Sequence, residues 1–427
     1  MTDTIPETIQ TLLLTCLSDQ PNHLGGQHFA VLTEDGWSDF VDLARRQGVE
    51  SMVYHRLKQA ELLSVVPEVQ RERLKQSYHG IALTNLRLYA GLKTVLEAFA
   101  EHNISVIVLK GAYLAEHVYP NIALRYMCDV DLLVPETDLA KARDLMLELD
   151  FQMRESVSSE QVGLTAKHLP PFVKGGWITV ELHWRIVDLM NRAHEPVPMP
   201  FTEDDLWRRA QAKPIANTET LVLSPEDLIM HLCLHTALQH NFELGLRGLC
   251  DLDHFIRMNQ DQFNWAALIK RSHQWNLHKA VYLTLRLVQS MLGTSIPKDV
   301  LDTLKPSDFD LQFLSWARAR IFNGVSSREV PSLYNVVQVH KATGFFGKVK
   351  VLRQVIFPKP AVSVDSNMSS GRIGRWTYLQ FVLFQRPRRL WQEYGSVLWR
   401  LWRKEKAIVD ALNREAQGNA IYDWMYR

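Results

Sequence analysis

Long apolar runs are missing from this sequence of 427 residues, and so is any marked excess of one charge. No segment reaches the ~18 uninterrupted apolar residues that a membrane-spanning helix needs. The first twenty residues carry acids and no basic stretch, and their apolar run is too short for a secretory signal, so the expected location is cytoplasmic. The formal net charge is only +1, so any attraction for polyanions must come from a local patch. The four cysteines, Cys16, Cys128, Cys233 and Cys250, form no CxxC pair, and their spacing fits neither a zinc module nor a disulfide framework. Internal repeats and low-complexity tracts are also lacking. Apolar residues make up 46% and charged residues 22%, a globular balance in a chain long enough for two or three domains.

Four segments follow from the patterning. Residues 1–76 read as an N-terminal helical region, with Phe40, Leu43, Ala44, Val49, Val53 and Leu57 near helical spacing and Gly48 between two helices. A helix from about Glu72 to His102 carries Leu86, Leu88, Leu92, Val95, Leu96 and Phe99 on its expected buried side. Residues 77–214 read as a small α/β sheet domain. Strands are expected at Ile104–Leu109 and Asp129–Val134, and a hairpin turns at Gly175-Gly176 and returns through Thr179–Trp184. Thr137 is expected to cap the helix that runs to Leu149. Residues 215–323 read as a helical domain that opens with Ser224 as N-cap, Pro225 at the first helical position and Asp227 three residues after the cap. Residues 324–427 form a basic aromatic C-terminal region.

The stretch from Val106 to Val134, VIVLKGAYLAEHVYPNIALRYMCDVDLLV, holds the chemistry. On a strand Asp129 and Asp131 point the same way. Two carboxylates so placed repel each other unless a divalent cation lies between them and a phosphate. The Lys110-Gly111 step, where a strand runs into a helix, offers backbone N–H groups, the positive helix end and an ammonium to a phosphate. Glu181, on the returning hairpin strand, is the candidate third acid, and His183 shares its face. Taken alone, an Asp-x-Asp pair or a Lys-Gly step is a common surface feature; the ordered set is specific.

That set resembles the polymerase-β-like nucleotidyltransferase superfamily, and within it a poorly characterised bacterial branch. The resemblance rests on Leu109-Lys110-Gly111, on Arg125 four residues before Asp129–Val134, on Glu181-Leu182-His183-Trp184, on the helix DLIMHLCLHTALQH, and on Arg247 followed by Asp251. It covers roughly residues 37 to 290. It implies an α+β fold: a small mixed-sheet nucleotidyltransferase domain flanked by helical regions. It also implies transfer of a nucleoside monophosphate from an NTP to an acceptor hydroxyl with release of pyrophosphate, by a two-metal mechanism in which Asp129 and Asp131 hold two Mg²⁺ (or Mn²⁺) and Glu181 completes one of the metals. Lys110, Gly111, Arg125, His183 and Arg247 would then bind the nucleotide. The wider superfamily has Gly-Ser where Lys110-Gly111 stands, and often Asp where Glu181 stands. A toxin-like enzyme acting on RNA or protein, and a non-catalytic binding module, are the alternative readings.

Two further features invite other chemistry. His231 and His235 stand i, i+4 with His240 beyond, but no Glu occupies the second position that a zinc protease motif requires, so a structural or substrate-lining role is expected. No adjacent His-Asp doublet occurs, which argues against a helical metal-dependent phosphohydrolase. From Arg372 to Lys404 eight Lys or Arg stand against one acid, interleaved with aromatics such as Trp391, Tyr394, Trp399 and Trp402. Such a stretch can bind nucleic acid, lie on a membrane surface, or pack its rings into a core. The last is expected here, because Trp391, Tyr394, Trp399 and Trp402, with Leu398 between, fall close to one helical stripe.

Overall fold

A computed structural model describes residues 6–18, 24–154, 167–187, 203–260, 262–323 and 417–426. The described residues up to 323 form one compact unit; residues 417–425 belong to a second and are helical. The basic aromatic stretch from Arg372 to Lys404 lies outside the described residues.

The N-terminal region is helical as expected: α1 (Glu7–Leu17), α2 (Gly26–Phe29), α3 (Glu34–Arg46), α4 (Glu50–Gln59) and the long α5 (Glu68–Glu101). Thr33 caps α3 by accepting from the Gly36 N–H, and the acids Glu34 and Asp35 stand at the positive end of that helix. The six apolar positions from Phe40 to Leu57 are all fully buried. On α5, Leu88, Leu92, Val95, Leu96 and Phe99 are buried, but Leu86 is 57% exposed. The buried stripe continues through Asn85 instead, three residues before Leu88. Its amide donates to the carbonyls of Ile122 at 2.6 Å and Arg125 at 2.7 Å. A polar residue on the core face thus ties α5 to the loop that leads into the Asp-x-Asp segment.

Seven strands follow: β1 (Ile107–Val108), β2 (Val130–Leu133), β3 (Gln152–Met153), β4 (Phe172–Lys174), β5 (Ile178–His183), β6 (Gln211–Ile215) and β7 (Thr218–Val222). They form one mixed sheet in the order β3-β4-β5-β2-β1-β7-β6. β2 runs parallel to β5 and antiparallel to β1, and β1 runs parallel to β7. The expected strand at 104–109 is only two residues long, and the expected strand at 129–134 starts at Val130, so Asp129 sits just ahead of it. The sheet also runs past residue 214, where its end was expected: that position falls inside β6, and β7 pairs with β1. The β4–β5 hairpin turns where the sequence indicates. Gly175 and Gly176 have φ of +59° and +69°, a conformation that costs glycine little.

Among the described residues α6 (Lys110–His117) lies between β1 and β2, and α7 (Leu139–Glu148) between β2 and β3. A 3₁₀ turn at Glu136–Asp138 leads into α7, and the expected Thr137 cap does not form. After α8 (Glu203–Arg209) and the β6–β7 hairpin, the chain becomes helical: α9 (Pro225–Leu234), α10 (Arg247–Met258), α11 (Trp265–Gln274), α12 (His278–Leu292), α13 (Lys298–Leu304) and α14 (Gln312–Asn323). Ser224 caps α9 as expected by accepting from the Asp227 N–H, with Pro225 in the first turn. α9 widens into a π-helical turn at His235–Gln239, a local expansion that frequently marks a functional site. No helix among the described residues is long and apolar enough to cross a membrane. A mixed sheet with helical flanks is an α+β fold.

Candidate active site

Parallel pairing of β2 with β5 sets Asp131 opposite Glu181 and Leu133 opposite His183, so these four side chains share one face of the sheet. The Asp131 carboxylate, 9% exposed, accepts from two cations or donors at once. The Lys110 ammonium lies 3.1 Å from Oδ1, and His183 Nε2 lies 2.9 Å from the same oxygen. His183 Nε2 is also 3.4 Å from Glu181 Oε2, and His168 Nε2 lies 3.8 Å from the same oxygen, its ring centre 4.9 Å from that of His183. One ligand atom each from Asp131, Glu181 and His183 lies within 4.8 Å of the others. This group of two carboxylates and one imidazole has donor chemistry suited to a divalent cation. Asp129 lies outside that group; the Cys128 thiol donates to its Oδ1 at 3.4 Å.

The two aspartates are held in opposite electrostatic states. Burial raises the Asp129 carboxyl above the usual carboxylate range, and the negative charges of Asp131 and Glu181 raise it further. Burial works against the Asp131 carboxylate too, but the Lys110 ammonium and the His183 hydrogen bond outweigh it and hold the group well below its ordinary value. Glu181 is also lowered: burial opposes ionisation, and the bond from His183 with the nearby His168 overcomes it. Of the two aspartates, Asp131 is therefore the settled anion and Asp129 the strained one.

Lys110 itself is unusual. It opens α6 with φ of +44°, a left-handed conformation that a residue with a Cβ rarely takes, and its side chain is only 8% exposed. Main chain also ties this turn to β2, because the Leu109 N–H donates to the Asp131 carbonyl at 3.0 Å. Next to it, Gly111 has no room for a side chain: a Cβ there would stand 2.5 Å from Arg125 Nη1 and 3.3 Å from Met127 Cγ.

Arg125, expected to hold a triphosphate, is engaged elsewhere in this structure. Its Nε and Nη2 donate to the two oxygens of Asp251 at 3.2 and 2.9 Å, and Nη1 donates to the Tyr126 carbonyl at 3.0 Å. Tyr119 donates its hydroxyl to Asp251 as well, at 2.8 Å. Arg247, one turn ahead of Asp251 on α10, does not pair with it. Its guanidinium lies 5.8 Å from the centre of the Tyr126 ring. Among the described residues no carboxylate lies within ion-pair reach of Arg247. Burial and the neighbouring Arg125 charge lower its pKa, while Asp251 and Asp129 oppose that shift.

The histidines of α9 and the π-helical turn stand near the same charges. His231 is 1% exposed, and neither ring nitrogen has a hydrogen-bond partner among the described residues. Burial and then the Lys110 charge hold His231 and His235 well below the ordinary histidine value, and lower His240 to about 4. The His231 and His235 rings are 6.2 Å apart, and the three histidines do not form a metal-binding group.

The structure thus brings Lys110, Asp131, Glu181 and His183 together, sets Asp129 beside them, and turns Arg125 to Asp251. Sequence reasoning did not single out His168, Tyr126 or Asn85. Only His168 left a trace, as a histidine in a short extended segment just ahead of the hairpin. No curated protein and no solved structure matches the chain. Residues 33–293 match the family described as uncharacterised nucleotidyltransferase, and since that match spans more than half of the chain, the protein belongs to this family.

Proposed function

We propose that this chain transfers a nucleoside monophosphate from an NTP to an acceptor hydroxyl and releases pyrophosphate. The observation that carries the reading is the pairing of Asp131 with Glu181 on adjacent parallel strands, directly beside the Lys110 turn. A divalent cation bound at these carboxylates supplies charge neutralisation for the phosphate oxygens and for the attacking hydroxyl. Asp131 and Glu181 would hold it, with Asp129 adjoining. The acceptor oxygen forms a bond to the α-phosphorus, the α–β bridging bond breaks, and pyrophosphate leaves. Glu181 takes the acceptor proton. Positioning and electrostatics do most of this work, as in phosphoryl transfer generally.

Lys110 and Arg247 supply positive charge to the triphosphate, and the α6 N-terminus adds backbone donors at Gly111. Arg125 enters through the turn it braces: its contact with Gly111 and its bond to Asp251 fix α6 against α10. His231, His235 and His240, which feel the Lys110 and Asp131 charges, stay as neutral rings near the site.

The test uses NTPs labelled on the α- or the γ-phosphate, with Mg²⁺ or Mn²⁺ and fractionated cell extract. The α-label should enter one fraction of RNA, protein or small molecules, the γ-label should appear as pyrophosphate, and Asp131→Asn should abolish both. γ-Label in the acceptor would make the chain a kinase instead. No incorporation with any NTP and either metal would leave the non-catalytic reading standing.

A further inference from the structure

We propose that His183 is a metal ligand, and that the site therefore selects a first-row transition cation of the Mn²⁺ type over Mg²⁺. The inference rests on the transfer site proposed above but concerns a different property, the identity of its cation.

An all-carboxylate trio would present only hard oxygen donors, the set that Mg²⁺ favours. The trio that converges here is different. His183 Nε2 stands between the two carboxylates, 2.9 Å from Asp131 Oδ1 and 3.4 Å from Glu181 Oε2, whereas Asp129 falls outside the group. Strand geometry leaves it little freedom. Glu181 and His183 are two apart on β5 and share a face, β2 delivers Asp131 by register, and the imidazole is 1% exposed. A position within reach of both carboxylate oxygens is thus within reach of a ring nitrogen. Imidazole is a good ligand for transition cations, and Mg²⁺ gives up water for nitrogen reluctantly.

The ring's proton can also shift. His183 Nδ1 is buried and has no hydrogen-bond partner among the described residues, so no second partner fixes the tautomer. The carboxylates favour the proton on Nε2; a cation at Nε2 favours it on Nδ1. His168 Nε2 lies 3.8 Å from Glu181 Oε2 and orients that carboxylate without entering the three-residue group. The rival role for His183 is a plain hydrogen-bond donor that separates two like charges. That role predicts no nitrogen on the metal.

The experiment is Mn²⁺ binding to the full chain without nucleotide, read by electron spin-echo modulation and by competition with Mg²⁺. Wild type should show ¹⁴N modulation, converted to the ¹⁵N pattern when the protein is made with ¹⁵N-histidine, and should hold Mn²⁺ on the order of tenfold or more tighter than Mg²⁺. His183→Gln should lose the modulation and most of the preference, while Mg²⁺ affinity changes little; His168→Gln should keep both. Absence of histidine modulation in wild type overturns the proposal without needing any variant to fold. So does modulation that survives His183→Gln, or that disappears with His168→Gln. Nucleotide transfer supported by Mg²⁺ in a protein with no nitrogen signal would sink this inference and leave the function intact. A clear nitrogen signal with no transfer would do the reverse.

Discussion

Replacing Arg125 with Met separates a phosphate-binding arginine from a structural one. The two charges of the Arg125–Asp251 pair are 11% and 4% exposed, so water screens them little. Met keeps the stem of the side chain and removes three donors: the two to Asp251 and the one to the Tyr126 carbonyl. Asp251 then keeps the Tyr119 hydroxyl as a donor. A buried carboxylate left in that state destabilises a fold by about 3–5 kcal/mol. Native stabilities are typically about 5–15 kcal/mol, so the effect should be plain. With a urea slope of ~3 kcal/mol/M the unfolding midpoint should fall by ~1 M or more.

The double variant Arg125→Met/Asp251→Asn makes the test specific. Asparagine keeps an acceptor for Tyr119 but carries no charge, so the double variant should regain much of the lost stability. The assay is urea unfolding followed by tryptophan fluorescence, with NTP binding measured on each folded variant. A single variant within ~1 kcal/mol of wild type that has lost NTP affinity would refute the bracing role and make Arg125 a phosphate ligand. Equal instability of single and double variants would also refute it, because the unpaired charge would not then be the cause.

The two aspartates should respond to neutralisation with opposite sign. Asp129→Asn removes a charge that burial and its neighbours disfavour, so stability should stay level or rise; Asp131→Asn leaves the buried Lys110 ammonium without its partner and should cost about 3 kcal/mol or more. Asp131→Asn should abolish transfer, and equal unfolding midpoints for the two variants would contradict the charge assignment. Acid should weaken the fold through the histidines. With His240 at about 4 and His231 and His235 held low, the unfolded chain binds more protons below the ordinary value near 6.5. Stability is then full above that value and falls as pH drops from ~6.5 toward 4, while Asp131 withdraws its contribution only below its ordinary 3.8. His231→Phe should flatten the slope, and an unfolding midpoint unchanged between pH 7 and 5 would exclude the effect.

What the sequence made legible were features governed by neighbours a few residues away. Ser224-Pro225 fixes the start of α9 because an N-cap and a missing N–H are local matters. Glu181 and His183 share a face because a strand has a period of two. The β6–β7 hairpin escaped notice for equally local reasons. Its turn is Ala216-Asn217, with φ of +52° and +61°, in place of the glycine pair that usually signals such a turn, and Pro214 reads as a stop. In the structure Pro214 stands on β6, the edge strand, where its missing N–H is tolerated. Lys110 likewise shows no sign in sequence of its left-handed backbone, since a residue with a Cβ rarely takes that conformation.

Which charged residue faces the substrate is a different kind of question, because the answer lies far along the chain. Arg247 and Asp251 are four apart on one helix, and a rule of helical neighbours would pair them for a few tenths of a kcal/mol. Asp251 is instead taken by Arg125, 126 residues earlier, in a buried two-point contact that a surface pair cannot match. Asn85, from a third element, helps hold Arg125 in place through its carbonyl. The consequence falls on Arg247. Deprived of its helical partner, it lies over Tyr126 with its charge near Asp129 and Cys128. A half-buried cation that is unpaired with any described carboxylate, makes only a long 3.5 Å bond to the Tyr126 carbonyl and lies near Asp129 is the one with most to gain from a phosphate. Arg247, more than Arg125, is therefore the arginine whose loss should raise the KM for NTP while leaving the urea midpoint near that of wild type.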